Sequence, residues 1–172
     1  MKTILTAFLL CVCFNSKEQI TEINYKDETL DVTPLSKEDS IKLVLFRYDL
    51  DTNIVKLLVA QAKHESGNFK NKLTKYNNVF ARHYSKFDTL ALGPGAEAEG
   101  HNNFAKYKSI EDATISQYLY LKRKKYSFKW ETPYQYAVEL KSKKYYTASI
   151  KEYSTSLTKY YNITNGFFST TP

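Results

Sequence analysis

Ile54-Val55-Lys56-Leu57-Leu58-Val59-Ala60-Gln61-Ala62-Lys63-His64-Glu65-Ser66-Gly67 is the stretch on which the fold turns. Its apolar residues return at helical spacing, and Leu58 and Ala62 stand seven and three positions before Glu65, so the three share one face. A carboxylate ending such a face lies at the rim of buried apolar surface. Partial desolvation there raises a carboxyl pKa and keeps the proton in place near neutral pH, the state that a general acid needs. Asp51 or Thr52 is placed to cap this helix at its start. Gly67 is placed to end it, because glycine accepts the left-handed conformation found at many helix C-termini.

Upstream, Ser36 three residues before Asp39 predicts a capped helix start, and Ile41, Leu43, Val44, Leu45 and Tyr48 carry that helix to about Asp49. After Phe69 the texture changes to Asn, Gly, His and aromatic residues as far as Phe104. Gly93-Pro94-Gly95 is the strongest turn signal within it, so this part predicts a loop or small hairpin lobe. Ser109 and Asp112 open another helix that Ile110, Ala113, Ile115, Tyr118, Leu119 and Leu121 continue to about Lys124. Thr132 before Pro133 starts a fourth helix, running to about Ser142, with proline in the first turn where its missing N–H costs nothing. A fifth, from about Ala148 to Tyr161, presents Ile150, Tyr153, Leu157 and Tyr160 or Tyr161 on one face. The expected fold class is therefore mainly α with a small β contribution (α+β). Internal repeats and low-complexity segments are absent from the sequence.

Lys2 followed by the apolar run from Ile4 to Phe14 has the form of an export signal, too short to span a bilayer, so residues 1–16 are expected to be a signal peptide. Residues 17–35 are expected to be a linker or flexible arm, residues 36–161 the folded domain and residues 162–172 an irregular C-terminal tail. The only cysteines, Cys11 and Cys13, lie inside the signal, which leaves a mature chain without disulfide or thiol chemistry. The expected location is periplasmic or extracellular, with a lipid anchor as the alternative to plain cleavage. Charge is unevenly spread. From Ile41 onward there are 21 basic and 11 acidic side chains, a net of +10, whereas residues 17–40 hold three lysines against seven acids. A cationic exported domain meets anionic envelope polymers rather than nucleic acid, so nucleic acid and nucleotides are not expected as partners. No nucleotide loop follows Gly93-Pro94-Gly95, and His64, His83 and His101 lack zinc-binding spacing, so neither metal nor cofactor is expected.

Four pieces stand in order along the chain: Val59-Ala60-Gln61-Ala62-Lys63-His64-Glu65-Ser66-Gly67, Tyr76-Asn77-Asn78-Val79-Phe80, Phe104-Ala105-Lys106-Tyr107-Lys108-Ser109-Ile110-Glu111-Asp112, and Tyr145-Tyr146 ahead of Tyr153. Together they resemble the bacterial and phage glucosaminidase domain, glycoside hydrolase family 73, over about residues 53–161. The resemblance implies a lysozyme-like fold whose helical lobe and small loop or hairpin lobe flank a glycan cleft. It also implies a peptidoglycan hydrolase that cleaves β-1,4 bonds of N-acetylglucosamine-containing strands, with peptidoglycan as partner and Glu65 as general acid. Tyr153, the C-terminal tyrosine that matches best by spacing, is expected to be catalytic, its hydroxyl orienting the acetamido group or water at the reacting centre. Asn78, Phe80, Tyr107 and Tyr146, lying in the shared motifs, are the expected substrate contacts, because sugar rings stack on aromatic side chains and their hydroxyls take hydrogen bonds.

Three departures from the family pattern bear on the site. The usual Asn-Leu-Phe-Gly reads Asn78-Val79-Phe80-Ala81, which puts a side chain on the expected cleft floor. The usual Asp-Pro before the tyrosine element reads Ser149-Ile150-Lys151-Glu152. The second carboxylate is expected in the hairpin, where Glu99 is the first choice, Glu97 the second and Asp88 lies nearby. A separation of roughly 5 to 5.5 Å from Glu65 would open a retaining route and about 6.5 to 9.5 Å an inverting one. Without either, the substrate's own acetamido group can serve as nucleophile. The alternatives to hydrolysis are a non-catalytic wall-binding module on the same fold and a lytic transglycosylase.

Overall fold

The computed structural model describes residues 34–97 and 103–165. The expected signal peptide, all but the end of the arm, Glu99, His101 and residues 166–172 of the tail lie outside them. Among the described residues five helices, α1 (Lys37–Phe46), α2 (Thr52–Glu65), α3 (Ile110–Arg123), α4 (Pro133–Ser142) and α5 (Ile150–Asn165), contribute to a common core, and a two-stranded sheet, β1 (Ala91–Glu97) and β2 (Asn103–Tyr107), follows a 3-10 turn at Lys72–Tyr76. The mainly α expectation holds.

Each helix starts where side-chain chemistry allows it to. Ser36 accepts from Asp39 N–H, Asp51 from Asn53 N–H, Ser109 from Asp112 N–H and Thr132 from Gln135 N–H, satisfying amide groups that have no partner in a first turn. At α5 the cap is reciprocal: Ser149 Oγ accepts from Glu152 N–H while the Glu152 carboxylate accepts from Ser149 N–H. This capping box gives α5 a satisfied start at residues 149–152, where the expected Asp-Pro is absent.

α2 runs through the middle. Val55, Leu57, Leu58, Val59, Ala60 and Ala62 are all fully buried, apolar on nearly every side, as befits a helix enclosed by neighbours. α1 packs on α2 and α3, while α5 packs on both α2 and α4. Tyr136, Leu140, Tyr153 and Leu157 bring the faces of α4 and α5 into the same core. Glu38 ties α1 to α2 by accepting from Lys63 Nζ at 2.5 Å and Lys42 Nζ at 2.8 Å.

Two expectations are corrected. Gly93-Pro94-Gly95 is not a turn but part of strand β1, antiparallel to β2, with irregular register between Ala91 and Gly93 and between Pro94 and Ala96. A two-stranded sheet leaves each strand an open edge, which accommodates proline, and the bulged register accommodates Gly93 at φ +133°. Gly95 is required by contact: a Cβ there would come within 2.6 Å of Lys106 Cβ and 2.9 Å of the Tyr76 ring. The last helix also runs four residues past Tyr161, because Thr164 is buried and its hydroxyl bonds back to the Tyr160 carbonyl, 2.9 Å away.

Candidate active site

Glu65 is the last residue of α2, and the chain turns sharply after it. Gly67 adopts φ +59°, its N–H reaches the His64 carbonyl at 3.2 Å, and Asn68 N–H reaches the Lys63 carbonyl at 2.6 Å, a closed C-terminal cap. Asn71 Nδ2 donates to the Glu65 carbonyl at 2.7 Å, and Ser66 Oγ donates to the Ala62 carbonyl while accepting from Phe69 N–H. The backbone beneath the carboxylate is thus held from both sides. Leu58 and Ala62, the apolar residues of its face, are completely buried, and Glu65 itself is half-buried.

Tyr153, from the first turn of α5, donates its hydroxyl to Glu65 Oε1 at 2.5 Å. The ring is set by its neighbours: Tyr146 stacks on it at 3.8 Å and 6°, and His64 meets it edge-on at 4.7 Å. Tyr146 is anchored in turn by donating to the Ala137 carbonyl, and His64 Nδ1 lies 2.7 Å from Ser156 Oγ. Burial pushes the Glu65 carboxyl from an ordinary 4.5 up to about 7, a rise that the Tyr153 hydrogen bond partly offsets. Burial and the Glu65 charge hold the Tyr153 phenol far above its usual range, so it remains a donor. With Oε1 taken as acceptor, the carboxyl proton resides on Oε2. The arrangement is a positioned acid that is close to half-protonated at neutral pH.

The other expected site residues separate into two groups. Tyr146 belongs to the cluster around Glu65. Asn78, Phe80 and Tyr107 do not: their side chains are 0 %, 0 % and 1 % exposed, so the expectation that they touch a glycan is corrected. Asn78 Nδ2 donates to the Arg82 and Ala105 carbonyls and its Oδ1 accepts from Arg82 N–H, all at 2.8 Å, which pins the motif loop to β2. Phe80 fills the core, and its carbonyl accepts from Tyr145 at 2.7 Å. Tyr107 donates to Asp88 Oδ2 at 2.9 Å, beside Ser116, which donates to the same oxygen. Asp88 is therefore committed to holding the small lobe. Glu97 ends β1 opposite Asn103 with its side chain outside the described residues, as Glu99 is altogether. Tyr145 and His64 were not singled out in the sequence as site residues. Tyr145 stands beside a residue that was, and burial together with the Glu65 charge holds its phenol high.

The family model described as mannosyl-glycoprotein endo-beta-N-acetylglucosaminidase matches residues 47–165. The chain belongs to the glucosaminidase family. Comparison with curated proteins and with solved structures returns no match. Membership makes this a glycoside hydrolase domain of the group that acts on peptidoglycan glycan. The matched span contains Glu65, Tyr146 and Tyr153 together with the motif loop. In this glucosaminidase domain Ala81, at the position of the family's glycine, sits at φ +49°. That conformation is strained for an L-residue with a Cβ and is readily adopted by glycine, so Ala81 is a strained residue here.

Proposed function

We propose that this chain is exported and hydrolyses β-1,4 glycosidic bonds of N-acetylglucosamine-containing strands in peptidoglycan, with Glu65 as general acid. The observation that supports it is the half-buried Glu65 carboxyl, raised to about 7 and held through one oxygen by Tyr153. Protonation of the glycosidic oxygen by Glu65 Oε2 lets that oxygen leave as a hydroxyl while positive charge develops on the sugar ring. In a retaining or acetamido-assisted route the ionised Glu65 left behind then accepts a proton from the attacking water, which restores the acid, whereas in an inverting route a second carboxylate takes that proton. Tyr153 contributes twice: it selects the oxygen that carries the proton, and its donated hydrogen bond strengthens as Glu65 ionises. Glu99 and Glu97 remain the candidates for the group that balances charge on the ring.

The test is incubation of the purified chain and its Glu65→Gln variant with peptidoglycan, followed by mass spectrometry of the soluble fragments. New reducing N-acetylglucosamine ends from the wild type and none from the variant are expected. Anhydro ends would make the chain a lytic transglycosylase. Binding to peptidoglycan without fragments would make it a wall-binding module, and full activity of Glu65→Gln would remove the acid assignment.

A further inference from the structure

Beside the Glu65 cluster lies a cavity of 220 Å³ lined by Ala81, Arg82, Tyr84, Tyr120, Lys144 and Tyr145, among others. Tyr145 joins the two places, since its phenol feels both the Glu65 and the Arg82 charge. Arg82 is the unusual member. It is only 8 % exposed, its Nε is buried with no acceptor, and its guanidinium donates no hydrogen bond to any described residue. Among the described residues no ion pair includes it, although four others form. Asp88, which lines a neighbouring cavity with Arg82, has both oxygens occupied by Tyr107, Ser116 and Leu90 N–H. Among the described residues the partner of the guanidinium is the Tyr120 ring, whose centre lies 3.5 Å from it.

Burying an ionised group without an opposite charge is strongly unfavourable, and a cation–π contact compensates it only in part. Such a side chain at a cavity wall is placed to take an anion, and a guanidinium fork suits the planar, two-oxygen shape of a carboxylate. Lys144, exposed at the same wall, adds a second positive charge. We propose that this cavity is a carboxylate subsite, which engages an acidic substituent of the glycan while Glu65 addresses the adjoining bond. The inference rests on the peptidoglycan reading above and names what that reading leaves open: the domain prefers acid-bearing strands to a neutral N-acetylglucosamine polymer. Two carboxylates of peptidoglycan qualify, those of the stem peptides and the lactyl carboxylate exposed when the stems are removed.

The experiment compares wild type, Arg82→Gln, Arg82→Lys and Lys144→Ala on intact peptidoglycan, on amidase-stripped strands and on a neutral chitin oligosaccharide. Dissociation constants for soluble forms of the same three ligands are measured in the Glu65→Gln background. Arg82→Gln is expected to raise KM and Kd about tenfold for acid-bearing ligands, with kcat and the chitin values unchanged. Arg82→Lys should fall between, and Lys144→Ala, whose exposed side chain does not hold the fold, should shift the same constants in the same direction by a smaller factor. Loss on intact peptidoglycan alone assigns the stem carboxylate, loss on stripped strands alone assigns the lactyl group, and loss on both supports a subsite that takes either carboxylate. Equal loss on all three ligands, or no loss on any from both Arg82→Gln and Lys144→Ala, overturns the subsite. If the wild type cuts nothing yet its binding keeps this pattern, the hydrolase reading fails and the subsite stands.

Discussion

Replacing Glu65 by glutamine should remove activity and, at alkaline pH, make the protein more stable. The folded carboxyl titrates at about 7 and the unfolded one near 4.5. Between those values the native state holds a proton that the unfolded state has released, so stability falls as pH rises and levels off above about 7. Each pKa unit corresponds to about 1.4 kcal/mol, so the ionised Glu65 costs the fold about 3 kcal/mol at pH 8 and nothing at pH 4. Glutamine keeps the shape and can still accept from Tyr153, but it has no charge to desolvate. Urea denaturation of both proteins at pH 4 and pH 8 measures the effect, and the difference between the two pH values cancels contributions that the proteins share. The expected result is near-equal stability at pH 4 and a gain of about 3 kcal/mol for Glu65→Gln at pH 8. A variant no more stable than wild type at pH 8, or a gain independent of pH, would refute the claim that burial raises this carboxyl.

Three further outcomes follow from the same geometry. Tyr153→Phe removes a donor to the ionised carboxylate, a bond of about 1.5 kcal/mol, so the alkaline limb of the pH–rate profile should move up by about one pH unit while maximal kcat falls; a limb that moves down contradicts the assignment. Asn78→Ala leaves Arg82 N–H buried without its side-chain acceptor and cuts two further bonds, and should cost about 3 kcal/mol in urea denaturation. Ala81→Gly should relieve the left-handed strain and gain roughly 0.5 to 1 kcal/mol after the greater freedom of glycine in the unfolded chain, whereas Ala81→Val should lose stability; thermal melts distinguish them.

Much of this architecture was legible because caps and periodicity are local. Ser36, Asp51, Ser109 and Thr132 all begin helices as their side chains predict, and Gly67 ends α2. Glu65 could be read because the burial of Leu58 and Ala62 follows from helical spacing alone. What the letters do not carry is which side of a packed wall a polar aromatic faces. Tyr107 and Tyr146 look alike in sequence, yet one is sealed between Asp88 and Ser116 and the other stacks in the Glu65 cluster. Gly93-Pro94-Gly95 reads as a turn because the close approach of Lys106 and Tyr76, which demands the second glycine, is a contact distant in the chain. Arg82 gave no signal at all. Its isolation depends on what Asp88 bonds instead, a fact of three dimensions.

The sharp end of α2 has an electrical consequence. Aligned peptide dipoles leave roughly half an elementary negative charge at a helix C-terminus, concentrated in the last turn. Glu65 sits in that turn, so the backbone itself resists a second negative charge and adds to the pull of the carboxyl on its proton. Had the helix continued for two more turns, the same glutamate would lie in a nearly neutral part of the rod. The stop at Gly67 therefore places the acid at the negative end of the rod.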